Sequence, residues 1–151
     1  EEHIVWANQF VNSNYPYFMT HMYGEIKKRK DVILIGNESI DFNTCEIDIK
    51  KFFGVGYSCF INDLNLVEDI KAYMVKDEIK NHIFLFSAGS LSEILIHELY
   101  KFDSNNTYLD IGTTLHKQLG MGIARDYLKA YWNGVPHPDL YKQCIHPLKV
   151  L

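Results

Sequence analysis

The chain has 151 residues, enough for one domain with a sizeable core, and we expect a single domain over residues 1–151. Its formal net charge of −4 argues against a general nucleic-acid binder, because such domains carry an excess of Lys and Arg. No run of residues is long and apolar enough to cross a bilayer, so we expect no membrane span and no nucleic-acid partner.

Three widely spaced cysteines, Cys45, Cys59 and Cys144, include no Cys-x-x-Cys pair. This odd, scattered set argues against a disulfide framework and favours a reducing compartment. Because the sequence begins with no signal-peptide pattern, we expect a cytoplasmic protein. The first residue is Glu1 rather than Met. The sequence is therefore compatible with a fragment of a larger multidomain protein, and it leaves a homo-oligomer open as well.

The first predicted helix spans residues 12–30, where Phe18, Met22 and Ile26 recur at four-residue steps. Pro16 would lie in its first turn, where proline is tolerated. The apolar, β-branched run over residues 32–36 follows and predicts a strand buried on both faces.

The rest of the chain alternates between strand and helix patterns. Further strands are predicted over residues 52–56, 83–86 and 107–111, and further helices over residues 62–75, 91–102 and 124–132. This alternation predicts an α/β fold, a Rossmann-like three-layer α/β/α domain with a mostly parallel sheet of four to five strands. We expect an irregular tail over residues 133–151.

Three predicted strand ends carry small or polar residues that could form a site. They are Gly36-Asn37-Glu38-Ser39, Ser87-Ala88-Gly89-Ser90 and Asp110-Ile111-Gly112-Thr113-Thr114. Ligands of open α/β sheets bind at the carboxyl ends of the strands. We therefore expect these three segments to lie along one edge of the sheet.

The segment from Ser87 to Ser90 joins a predicted strand to a predicted helix. The small residues Ala88 and Gly89 let a ligand approach the backbone, and free amides at a helix N-terminus attract phosphate. The alternative is a purely structural turn, in which Ser90 caps the helix and Glu93 completes a capping box.

Two carboxylates follow predicted strands, and each has two interpretations. Asp110 could bind a sugar hydroxyl, or it could cap the next segment. Glu38 could be a general base or a hydroxyl ligand, or simply a surface residue. Tyr57, Tyr108 and Tyr127 are candidates to stack on a nucleobase or a sugar.

The stretch IFLFSAGSLSEILIHELYKFDSNNTYLDIGTTL resembles the C-terminal part of the GT-D type glycosyltransferases, small Rossmann-like enzymes of bacterial and viral glycan assembly. The earlier VILIGNES is similar to a strand of that family, and GIARDYLKAYW is similar to its later Arg-x-Tyr segment. In order and spacing, the three segments match over roughly residues 12 to 132.

The resemblance implies transfer of a sugar from a nucleotide-sugar donor to a hydroxyl of a glycan acceptor. It implies a catalytic role for Asp110, as base or sugar ligand, with Glu38 as a second candidate. Arg125 would pair with phosphate, although a solvated helix residue is an equal alternative. The donor and its phosphates would be bound by Gly36, Asn37, Ser87, Ala88, Gly89, Ser90, Gly112, Thr113 and Arg125.

The family's Asp-x-Glu motif, which binds a divalent cation and precedes the strand corresponding to Val32, is not found in this chain. Mn²⁺ or Mg²⁺ is thus an implied cofactor whose protein ligands are unknown. The alternative function is a non-catalytic module that binds a nucleotide or a phosphosugar. A phosphosugar isomerase or an NAD-type domain is a third candidate, and the lack of a glycine-rich fingerprint weakens the NAD version.

Overall fold

Four parallel strands form one sheet, and helices cover both of its faces. The computed structural model describes residues 14–123 and 125–141. The elements are α1 (Tyr15–His21), α2 (Tyr23–Lys28), β1 (Val32–Asn37), β2 (Ile49–Val55), α3 (Cys59–Asn62), α4 (Leu66–Lys76), β3 (Ile83–Ser87), α5 (Leu91–Phe102), β4 (Thr107–Asp110), α6 (Asp126–Trp132) and α7 (Pro138–Tyr141).

The order of the strands across the sheet is β2-β1-β3-β4. Each neighbouring pair is parallel, and Gly36 at the end of β1 is in register with Ser87 at the end of β3. The predicted three-layer α/β/α fold with a mostly parallel sheet is therefore confirmed, with four strands in the described part of the chain.

The central strands are continuous apolar runs because both of their faces are covered. One face packs against α4 and α5 through Ile33, Ile35, Phe84 and Phe86. The other packs against α1, α2 and residues 111–119 through Val32, Leu34, Ile83 and Leu85. A polar side chain at any of these positions would lose its hydration, so the strands cannot alternate polar with apolar residues.

The bounds of several elements differ from the expectation. The helix predicted over residues 12–30 is divided at Met22 into α1 and α2, and Gly24, a poor helix former, lies in the first turn of α2. Phe18 and Ile26 are nevertheless buried in one core, as the periodicity predicted. The N-terminal part of this predicted helix, residues 12 and 13, lies outside the described residues.

The helix predicted over residues 62–75 begins later, at Leu66, and the separate turn α3 precedes it. α5 has the predicted bounds. α6 begins at Asp126, while the predicted first residue, Ala124, lies outside the described residues. Within the tail predicted to be irregular, residues 138–141 form α7, and residues 142–151 lie outside the described range.

Asn106 is a buried polar residue that ties the loop before β4 to the beginning of β3. Its Oδ1 accepts the N–H of His82 at 2.9 Å, and its Nδ2 donates to the carbonyl of Ile79 at 3.2 Å. We expect Asn106→Ala to lower the free energy of unfolding by about 2 kcal/mol, because the N–H of His82 and the carbonyl of Ile79 both lose their hydrogen bond to the Asn106 side chain. Urea denaturation measures this. The matched control is Asn43→Ala at an exposed position, and an equal loss there would contradict the argument.

Candidate site at the carboxyl ends of the strands

A crevice of about 800 Å³ opens where β1 and β3 end. Parallel strands leave their carboxyl ends at one edge, and the turns that follow them form the walls. The predicted site residues that line the crevice are Asn37, Ser87, Ala88, Gly89, Gly112, Thr113 and Arg125. Four predicted residues are not among its lining: Gly36, Glu38, Ser90 and Asp110.

The β1 end contributes one lining side chain and a scaffold. Asn37 borders the crevice, and its Oδ1 accepts the N–H of Ser39 at 2.8 Å, which holds the turn after the strand. Gly36 is buried beneath, where a Cβ would lie 3.7 Å from that of Ser87. Glu38 is exposed and lies beside Gly54 on β2. The role predicted for Glu38 stays a prediction.

The turn from Ser87 to Ser90 leaves the amides of Gly89 and Ser90 without a hydrogen bond among the described residues. The hydroxyl of Ser92 accepts the N–H of Ala88 at 3.1 Å, and the side chain of Ser90 makes no capping hydrogen bond. The capping box expected as the alternative is therefore absent. Gly89 has φ +56, a conformation that glycine adopts without strain. Within the described residues, the N–H groups of Gly89 and Ser90 donate no hydrogen bond.

Ser87 forms the centre of a hydrogen-bonded group that the sequence did not predict. Its Oγ donates to the carbonyl of Gly112 at 2.7 Å and lies 3.1 Å from Nε2 of His116. His116 also lines the crevice. No local pattern marks His116, because the interaction joins residues 29 positions apart in the sequence.

Two effects keep His116 neutral. Burial lowers the pKa of the imidazole, and the positive charge of Arg125 lowers this pKa further. Both disfavour the imidazolium ion. At neutral pH the ring of His116 is therefore unprotonated and retains one basic nitrogen.

Asp110 lies beside α5 instead of in the crevice. Its Oδ1 accepts the N–H of Gly112 at 2.9 Å. Loss of hydration raises the pKa of Asp110, although its side chain is partly exposed. The hydrogen bond from Gly112 lowers this pKa, and the negative charge of Glu93 raises it. The bond to Gly112 fits the capping alternative. The catalytic role stays a prediction.

The candidate stacking tyrosines are in three different environments. Tyr127 lines the crevice and is buried. Tyr57 follows the lining residue Gly56 and is 95% exposed, so its ring is open to a ligand. Tyr108 is half-buried against the core, where it packs on Phe84 and donates its hydroxyl to the backbone carbonyl of Asp103 at 2.7 Å.

Other residues line the crevice although the sequence did not predict them as site residues. Cys59 borders the crevice, and its thiol donates to the carbonyl of Ala88 at 3.4 Å. His137 and Asp139 contribute from the beginning of the C-terminal segment. Over residues 14–123 and 125–141, no group of three or more His, Cys, Asp or Glu is placed to hold a metal ion. The implied divalent cation therefore has no ligand set in this part of the chain.

None of the helices in the described ranges is long and apolar enough to cross a membrane. Comparison of the chain with protein families, curated proteins and solved structures finds no match.

Proposed function

We propose that this chain is a glycosyltransferase domain. It transfers a sugar from a nucleotide-sugar donor, bound in the crevice, to a hydroxyl of a glycan acceptor. The sequence resemblance to the GT-D type enzymes motivates the proposal, and the parallel sheet with a crevice at its strand ends is compatible with it. The volume of about 800 Å³ is in the range of cofactor sites.

One observation carries the proposal: donors suited to a diphosphate border one crevice. The amide of Gly89, which lines the crevice, has no acceptor among the described residues, and Arg125 contributes a permanent positive charge to the same lining. Backbone amides before a helix and a guanidinium group both bind phosphate oxygens. The same groups would stabilise the negative charge that develops on the leaving diphosphate.

The described residues do not offer a metal site for a divalent cation. What this part of the chain supplies is orientation and charge. Asn37 and Thr113 offer polar side chains to sugar hydroxyls across the crevice. Holding donor and acceptor together raises the rate by converting a bimolecular encounter into a positioned reaction.

The second candidate function is a non-catalytic module that binds a nucleotide or a phosphosugar. The observation that favours it is the position of the two predicted catalytic carboxylates, since neither Asp110 nor Glu38 lines the crevice. Such a module would use the same amide and the same arginine, and it would release its ligand unchanged.

Calorimetry with UDP, GDP and ADP tests the shared claim that the crevice binds a nucleoside diphosphate. We expect Arg125→Ala to weaken the preferred nucleotide about tenfold, because one charged hydrogen bond to phosphate is lost. The matched control is Lys101→Ala, an exposed cation in the last turn of α5, far from the strand ends. The affinity of Lys101→Ala for the preferred nucleotide should stay within about twofold of the wild type.

Assays of sugar transfer from the preferred nucleotide-sugar, with and without Mn²⁺, separate the two candidates. Transfer to an added glycan acceptor supports the enzyme, and nucleotide binding without transfer supports the module. If no nucleotide binds, or if Arg125→Ala and Lys101→Ala behave alike, the proposed use of the crevice is wrong.

A further inference from the structure

The hydrogen bonds around Ser87 determine which nitrogen of His116 carries the proton. A serine hydroxyl has one hydrogen, and at Ser87 this hydrogen is directed to the carbonyl of Gly112, the closer partner at 2.7 Å. The Ser87 oxygen is then an acceptor toward His116, so Nε2 at 3.1 Å must donate. The neutral ring consequently has its lone pair on Nδ1.

That basic nitrogen is not used by the fold. Nδ1 of His116 has no hydrogen-bond partner among the described residues, whereas the ring itself borders the crevice. Most polar atoms inside a fold are hydrogen-bonded to protein or to ordered water, so a nitrogen without a protein partner at a crevice wall can meet a ligand. An imidazole held in one tautomer at the wall of a large crevice has instead the arrangement of a general base.

We propose that His116 accepts the proton of the acceptor hydroxyl and that Ser87 holds its imidazole in the required tautomer and orientation. This proposal rests on the proposed function. The O–H bond of the acceptor breaks and its proton moves to Nδ1 of His116. The acceptor oxygen bonds to the anomeric carbon of the donor sugar, and the bond from that carbon to the diphosphate oxygen breaks with its electron pair on the diphosphate. The imidazolium then loses its proton to water.

The surroundings of His116 suit this step. Burial and the positive charge of Arg125 lower the pKa of the imidazole. The ring is therefore neutral and able to accept a proton at neutral pH, and the imidazolium releases that proton easily after transfer. The other titratable or charged groups that line the crevice are Cys59, Asp126, Tyr127, His137 and Asp139. Because Asp110 is bound to Gly112 and lies outside the crevice lining, His116 replaces it as the candidate base.

The first test is His116→Gln, whose amide can keep a hydrogen bond to Ser87 but cannot accept a proton at neutral pH. We expect kcat for sugar transfer to fall by about 10²- to 10⁴-fold, with the dissociation constant for the nucleotide within about twofold of the wild type. The matched control is His97→Ala, an exposed histidine on α5, which should leave both quantities unchanged.

Ser87 is a positioning residue. Its test therefore uses the pH dependence of kcat/KM, which a simple loss of packing would not change. We expect the acidic limb of the kcat/KM profile to lie below the ordinary range of histidine in the wild type, because burial and Arg125 lower the pKa of His116. Ser87→Ala should shift that limb and lower kcat by about tenfold. Ser87→Thr, which keeps the hydroxyl, should restore most of kcat.

Failure of this proposal can be told apart from failure of the proposed function. If the wild type binds nucleotide and transfers sugar while His116→Gln keeps full kcat, His116 is not the base and the transferase assignment stands. If His116→Gln also loses nucleotide affinity by more than tenfold, its role is binding, which overturns the proposal as well. If the wild type transfers no sugar, the underlying function is wrong and the base assignment falls with it.

Discussion

Gly120→Ala is expected to lower the free energy of unfolding by about 2–4 kcal/mol, because the new methyl group meets the backbone of another loop. A Cβ at Gly120 would lie 2.6 Å from the carbonyl oxygen of Asp41 and would also contact Oγ1 of Thr44. That loop cannot simply move away. The Asp41 carbonyl already accepts the N–H of Thr44 at 3.1 Å, and Glu46 donates its N–H to Gln118 at 2.7 Å.

A second glycine separates the clash from the backbone strain. Gly120 has φ +71 and Gly122 has φ +76, but a Cβ at Gly122 would meet nothing within 4 Å. Gly122→Ala therefore carries only the left-handed strain, about 1 kcal/mol. Chemical denaturation of both variants measures the difference. Equal losses would mean that the contact between residues 118–120 and the 41–46 loop does not constrain the fold.

Leu85→Ala and Phe86→Ala are expected to destabilise the protein by about 2–5 and 3–5 kcal/mol respectively, each by leaving a cavity. The two adjacent residues on β3 are fully buried on opposite faces of the sheet. Phe86 packs in the core shared with α4 and α5, and Leu85 packs in the core shared with α1 and α2.

The pair tests the three-layer architecture, because a strand in a two-layer fold would tolerate truncation on its solvent face. Thermal and urea unfolding report both losses, with Lys76→Ala in the last turn of α4 as an exposed control. That control should stay within about 0.5 kcal/mol of the wild type. A loss below about 1 kcal/mol for Leu85→Ala would contradict close packing of the α1 and α2 layer.

Local sequence patterns predicted an element well where contacts within that element determine its bounds. α5 has its predicted bounds because an apolar stripe from Leu91 to Phe102 needs only the period of the helix. β1 and β3 were recognisable because strands buried on both faces are continuously apolar. The break at Met22 was not predicted, since the stripe through Phe18 and Ile26 continues across it.

The candidate site was predicted only in part, and the direction of side chains explains why. Successive residues of a strand point to opposite faces of the sheet. Asp110 shares the face of Tyr108 and interacts with Glu93 of α5. Asp110 is at a strand end, as predicted, but its carboxylate lies outside the crevice lining. His116 was missed because no periodic pattern relates it to Ser87.

The amino-acid sequence by itself determined the α/β class, the parallel sheet and the edge at which a site should lie, because hydrophobic periodicity and strand ends are local properties. The tertiary structure alone decided which strand-end residues meet. Ser87 pairs with His116, 29 positions away in the sequence, and with the carbonyl of Gly112, 25 positions away. Those contacts exist only once the sheet has brought the strand ends together.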